Sequence, residues 1–187
     1  MDMDYSTIYN SGLPYADFLA KYGTDEQRAK WAAMHARIQL SEAQRKLLST
    51  FKREMPVLVL AGAWCGDCVD QCPLFEHFAA VASVLKIRYF DRDNSPEFAP
   101  HVKICGGARV PAVVFLTEDY QEVGRYGDRT LAKYRYILEK VAGEACSTGL
   151  VVDSGLQTKV QQEWLDQFER AQLILRTSPR LRQKHGD

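Results

Sequence analysis

The sequence predicts an α/β fold: a four-stranded mixed sheet flanked by helices, with a helical N-terminal extension and a C-terminal helix. Three observations carry this. A short apolar run, residues 57–63, passes directly into a helical pattern that starts near Cys65, which reads as a buried strand feeding a helix. Two further strand patterns follow, Lys86 to Asp91 and Pro111 to Leu116, each set off by turn and breaker residues. Glu118-Asp119-Tyr120 then turns the chain, Gln121 to Tyr126 returns it antiparallel, and Arg129 to Val141 reads as a helix. The order from 57 to 142 is β-α-β-α-β-β-α: a parallel pair with a crossover helix, then a hairpin and a closing helix.

The elements outside this unit are justified in turn. Asp17 to Tyr22 has room for a short helix stopped by Gly23. Thr24-Asp25-Glu26-Gln27 has capping-box form and opens a helix to about Gln39, with Trp31, Met34 and Ile38 at helical spacing. Ser41-Glu42-Ala43-Gln44 is a second capping box; Leu47, Leu48 and Phe51 give that helix an apolar face, and Pro56 ends it. Within the unit, the helix from Cys65 to Val84 contains Pro73, which should kink it. Ser95-Pro96-Glu97 opens another helix, closed by Gly106-Gly107. On the helix near Arg129, Leu131, Tyr134, Ile137, Leu138 and Val141 share one face. Residues 143–155 read as a linker, and Leu156 to Arg176 as an amphipathic helix packing through Val160, Trp164, Leu165, Phe168, Leu173 and Leu175. The expected organisation is an extension at 1–55, an α/β domain at 56–142, and a linker, helix and basic tail at 143–187 packed on that domain.

Composition narrows the function. The chain has 187 residues, 46% apolar and 26% charged, with a net charge of zero, which fits a soluble globular protein and argues against a nucleic-acid partner. Arg176, Arg180, Arg182 and Lys184 cluster at the end and read as a solvated tail. The acidic start, Met1-Asp2-Met3-Asp4-Tyr5, has no signal-peptide character. No run approaches the roughly 18 apolar residues of a membrane span. A cytoplasmic address with no membrane partner is expected.

Chemistry is concentrated in the cysteines. Of five, Cys65, Cys68 and Cys72 fall within eight residues, while Cys105 and Cys146 stand apart. Such clustering favours redox or metal chemistry over structural stapling. Cys65 and Cys68 lie at the strand–helix junction in Trp64-Cys65-Gly66-Asp67-Cys68, and Cys-x-x-Cys in this setting reads as a redox pair. Cys65 falls at the helix N-terminus, whose partial positive charge favours thiolate. Arg109 is a candidate for added positive charge near Cys65, while Asp67 acts the other way. Cys72 reads either as a buried small side chain or as a further resolving thiol or protective disulfide partner. Cys105 reads as a bystander or as a group approaching the pair through the Pro111 loop, and Cys146 as a bystander or a site of oxidative dimerisation. Cys65, Cys68, Cys72 and His77 supply zinc-type atoms, but one helix fans them too widely for a tetrahedral site.

Trp64-Cys65-Gly66-Asp67-Cys68, Cys72-Pro73 and Val110-Pro111 together resemble the thioredoxin superfamily over residues 55–142. The stretches from Gly106 to Pro111 and from Gly124 to Arg129 narrow the resemblance to a bacterial thioredoxin-like branch with helices before the first strand. The resemblance implies a cis Val110–Pro111 bond beside the pair. It also implies a disulfide couple in which Cys65 is nucleophile and Cys68 resolves, with Trp64, Val110 and Pro111 as the substrate platform and Gly66, Asp67, Cys72 and Arg109 as candidate modulators. Two positions depart from it: Val59 stands where thioredoxins place a buried acid, and Asp67 where they place a proline. The expected activity is reduction of protein disulfides without a bound cofactor or metal. Electrons would come from a thioredoxin-reductase-like protein or a small thiol. The alternative is a non-catalytic adaptor or redox-sensing module.

Overall fold

The structure, a computed structural model, describes residues 3–142 and 155–187. Helices α1 (Tyr5–Ser11), α2 (Tyr15–Tyr22), α3 (Asp25–Arg37) and α4 (Glu42–Ser49) precede strand β1 (Met55–Ala61). Helices α5 (Gly66–Gln71) and α6 (Pro73–Val81) lead to β2 (Leu85–Asp91), and the hairpin β3 (Ala112–Leu116) and β4 (Glu122–Gly127) follows. The chain closes with α7 (Leu131–Ala142), α8 (Leu156–Thr177) and α9 (Pro179–His185). The predicted linker and Cys146 lie outside the described residues. Among the described residues no helix is long and apolar enough to cross a membrane.

The sheet order is β2-β1-β3-β4, with β1 parallel to β2 and antiparallel to β3, and β3 antiparallel to β4. This is the expected four-stranded mixed sheet. Every residue of β1 is buried, as a strand covered on both faces must be. Alternation puts Val57, Val59, Tyr89, Val113 and Phe115 on one face. There Phe18 packs on Tyr89 and Phe168 on Phe115, with ring centroids 5.6 and 5.0 Å apart. On the other face Phe98 packs on Phe90 at 4.8 Å.

Both predicted capping boxes form: Thr24 with Gln27, and Ser41 with Gln44. Several expectations are corrected. The helix from Cys65 does not run kinked to Val84 but breaks into α5 and α6, with Pro73 at the first position of α6, where its missing N–H costs nothing. The helix expected after Ser95 reduces to a 3₁₀ turn, Ala99–His101; Pro100 lacks the N–H a continuing α-helix needs and its ring would clash one turn back. Helix α4 ends well before Pro56, which lies inside β1. On α7, Leu131, Tyr134 and Leu138 are exposed, so that face is not the packing face expected; on α8, Val160, Trp164, Leu165, Phe168 and Leu175 are buried as expected, and of that set only Leu173 is exposed. The basic tail is not free: it forms α9, where Arg180 pairs with Asp119 and Lys184 with Glu118 (2.5 Å).

Candidate active site

Cys65 sits at the junction of β1 and α5. Its N–H reaches the Gly62 carbonyl at 3.0 Å, and its own carbonyl accepts from the N–H groups of Cys68 and Val69 at 3.1 and 3.0 Å. This turn makes Cys65 the N-cap of α5, with no side chain capping the helix. Its Sγ lies 3.7 Å from the Val110 carbonyl oxygen, to which it is placed to donate. The Val110–Pro111 bond is cis. Gly127, at φ +152°, lies under this loop, and a Cβ there would overlap the Pro111 carbonyl. Cys65 is part-exposed and Cys68 fully buried, and both are free thiols.

Trp64 is 47% exposed beside Cys65. Its indole folds back over Gly62, where a Cβ would stand 2.7 Å from the ring. The Arg92 guanidinium stacks over the same indole at 4.2 Å, a cation–π contact. Arg92 is near enough to Cys65 for a thiolate there to raise the Arg92 pKa, although its main partner is Asp93 at 2.8 Å. The basic group beside Cys65 is therefore Arg92. Arg109, expected in that role, points to Asp128 at 3.2 Å. Asp67 is neutralised by Arg129 and Lys133, both at 2.7 Å, so its charge acts on the pair far less than its position suggests.

The two thiols influence one another's ionisation. The Cys65 thiol is pushed up, first by the Cys68 side chain and then by burial, while the backbone N–H groups of Cys68 and Asp67 act to lower it. Burial pushes Cys68 well up too. The favourable helix amides expected from the sequence are present, and the neighbouring thiol and burial outweigh them. The contact between the two thiols raises Cys65 and lowers Cys68, whereas burial weighs more heavily on Cys68 and the two amides favour ionisation of Cys65.

Helices α3 and α8 hold the cysteine turn and α5 in place, which sequence patterning did not reveal. The Trp31 indole N–H, from α3, donates to the Ala63 carbonyl at 2.9 Å. The Trp164 indole N–H, from α8, donates to Gln71 Oε1 at 2.8 Å. Gln71 in turn donates to the carbonyls of Asp67 (3.0 Å) and Asp128 (3.1 Å). Both tryptophans are fully buried, so each indole N–H needs its partner. Trp31 and Trp164 are core residues as expected, and they also fix the two ends of the cysteine turn.

Beneath the pair lies a half-buried polar contact, Glu76 with Tyr89, that the sequence reading missed. Cys72 is fully buried next to Cys68. One turn further, burial pushes the Glu76 carboxyl up, and Tyr89 donates to it at 2.9 Å. Tyr89 lies opposite Val59 in the sheet. A half-buried acid therefore reaches this region from α6, not from the Val59 position on β1. Exposed Cys105 occupies a tight turn at φ +51°. His77 bonds the His35 carbonyl at 3.0 Å, and among the described residues no group of three or more His, Cys, Asp or Glu is placed to hold a metal.

A sequence-family model described as thioredoxin matches residues 12–138. No curated protein matches the sequence. Among solved structures, a protein of unknown function from Pseudomonas aeruginosa superposes with a TM-score of 0.61 at 18% identity, over 92% of this chain and 93% of that one. An HIV epitope-scaffold protein gives 0.60 at 16% identity, over 90% and 92%. Thioredoxin O2 from Arabidopsis thaliana in the oxidised state gives 0.34 at 18% identity, over 54% and 89%. At these identities the first two likenesses concern the fold.

Proposed function

The chain belongs to the thioredoxin family, and from that premise we propose that it is a thiol–disulfide oxidoreductase that reduces protein disulfides in the cytoplasm through Cys65 and Cys68. The observation that carries this reading is the asymmetry of the pair. A part-exposed sulfur stands at a helix N-cap 3.7 Å from the Val110 carbonyl, with a fully buried thiol one turn behind it.

The steps balance. Cys65, as thiolate, attacks one sulfur of a substrate disulfide; a Cys65–substrate S–S bond forms, and the other substrate sulfur leaves as a thiolate that takes up a proton. Cys68 then loses its proton and attacks Cys65 Sγ. The intramolecular disulfide forms and the second substrate thiol departs. The substrate gains two electrons and the pair loses two, which a thioredoxin-reductase-like protein or a small thiol restores. Trp64 and the Val110–Pro111 turn flank Cys65 as walls for an extended substrate strand, and the Val110 carbonyl is the acceptor such a strand would meet.

The test is turnover of insulin disulfides with dithiothreitol as donor. The wild type accelerates reduction and Cys65→Ser does not. An equal rate in both would leave the non-catalytic adaptor reading in its place.

A further inference from the structure

We propose that the groove between α3 and the cysteine turn, continued to α8, is the seat for the polypeptide that flanks the substrate cysteine, and that Arg37 selects an acidic side chain on it. This rests on the disulfide-exchange reading and adds a substrate class to it.

The groove is built from two adjoining cavities. The first, about 510 Å³, begins at Trp64 and Gly66 beside Cys65 and runs along α3 past Val69 to Met34 and Arg37. The second, about 360 Å³, starts from the same Met34 and Arg37 and reaches Gln157 and Gln161 of α8. Trp64 and Gly66 are the residues on either side of Cys65, and the two cavities share Met34 and Arg37, so a chain held on Cys65 and passing over the Trp64 lip meets this groove, and that adjacency to the reacting sulfur identifies the occupant. A small disulfide would touch only its mouth.

The chemistry of the walls sets what fits. Met34, Trp64 and Val69 offer apolar surface, and the thioether of Met34 suits varied apolar side chains. Of the charges lining the first cavity, Lys30 is paired with Glu26 (2.7 Å) and Asp70 with Lys133 (2.6 Å). Arg37 is exposed and has no ion-pair partner among the described residues. Standing where the cavities join, it is the charge free to take a carboxylate in a fork of two hydrogen bonds. The preferred segment is therefore extended, apolar next to its cysteine and acidic a few residues on. Helix α3 belongs to the N-terminal extension, which would make that extension part of the substrate site as well as a support.

The experiment uses the full chain with two readouts. The first is kcat/KM for a set of peptide disulfides that differ only in one acidic, neutral or basic residue beside an apolar one, with bis(2-hydroxyethyl) disulfide as a substrate too small for the groove. The second is the Met34 methyl resonance on titration with the acidic peptide made without its cysteine. The wild type should favour the acidic peptide. Arg37→Glu should lower its kcat/KM about tenfold, chiefly through KM, equivalent to about 1.4 kcal/mol, while leaving the small disulfide unchanged, and should abolish the Met34 shift. An unmoved Met34 resonance, a wild type indifferent to peptide charge, or an Arg37→Glu protein that keeps the acidic preference would each overturn the proposal. A wild type that binds the acidic peptide at Met34 but reduces no disulfide would retain the groove and remove the redox reading.

Discussion

Cys65, the N-cap of α5, and Cys68, in its first turn, lie three residues apart, yet their surroundings differ in almost every respect. Cys65 is part-exposed, next to Trp64, Arg92 and the Val110 carbonyl. Cys68 is fully buried against Cys72, above the Glu76–Tyr89 pair. The supports differ too: α3 holds the Cys65 side through Trp31, and α8 holds the Cys68 side through Trp164 and Gln71. One sulfur is part-exposed and the other is enclosed by its neighbours. Identical side chains have thus been given distinct surroundings by burial and by which helix holds them.

The largest expected effects separate the two sulfurs directly. Cys65→Ser should abolish disulfide reduction. Cys68→Ser should lose multiple turnover yet accumulate a mixed disulfide on Cys65, read as a mass increase equal to the bound substrate. If both variants trap substrate equally, the division of roles is wrong.

The supports come next. Trp164→Phe leaves Gln71 Oε1 buried without its donor, and Trp31→Phe leaves the Ala63 carbonyl without its own. Each should cost about 1–3 kcal/mol in denaturant unfolding. Trp31→Phe should disturb Cys65 alkylation more than Trp164→Phe does. Equal disturbance would mean that the two helices do not divide the site between them.

A third prediction concerns pH. The Cys65 thiol is raised by Cys68 and by burial, so its thiolate fraction keeps growing as pH rises. Iodoacetamide alkylation of the reduced protein should increase about tenfold per pH unit from 6 to 8, with no plateau near 7. A plateau below 7 would show that the helix amides and Arg92 prevail.

The smallest effect lies at Glu76. Its folded pKa is raised by burial, so its contribution to stability is fully present below the unfolded value of about 4.3 and is lost as pH rises through the folded value. Glu76→Gln cannot ionise and keeps an oxygen for Tyr89. It should melt above the wild type at pH 7 and level with it near pH 4. The opposite ordering at pH 7 would place a favourable charge there.

How much of this was legible follows from range along the chain. The run at 57–63, the Cys-x-x-Cys turn and Val110-Pro111 are local patterns, and they led to the sheet and the cysteine junction. Helix α9 had a signal too, with Ser178 as N-cap and Pro179 in its first turn, but the basic charge beside it read as a tail. Helix α1 is capped by the Asp4 side chain, yet seven residues are too few for a clear period. Arg92, Gln71, Glu76 and Tyr89 meet the site only through the fold. Arg92 follows β2, and Tyr89 reaches the region because β2 pairs with β1 in one register. Nothing in their sequence neighbourhoods marks them. Arg109 was misassigned for the same reason: its partner Asp128 lies 19 residues away, and it draws the guanidinium off the pair.

The central claim is that Cys65 and Cys68 form a reversible disulfide couple. Equilibration of the full chain in thiol–disulfide buffers, followed by alkylation and peptide mass analysis, tests it most directly. The predicted result is a single two-electron transition that links Cys65 to Cys68 and leaves Cys72 as a thiol throughout. A Cys68–Cys72 bond, or no disulfide at any buffer ratio, would contradict it.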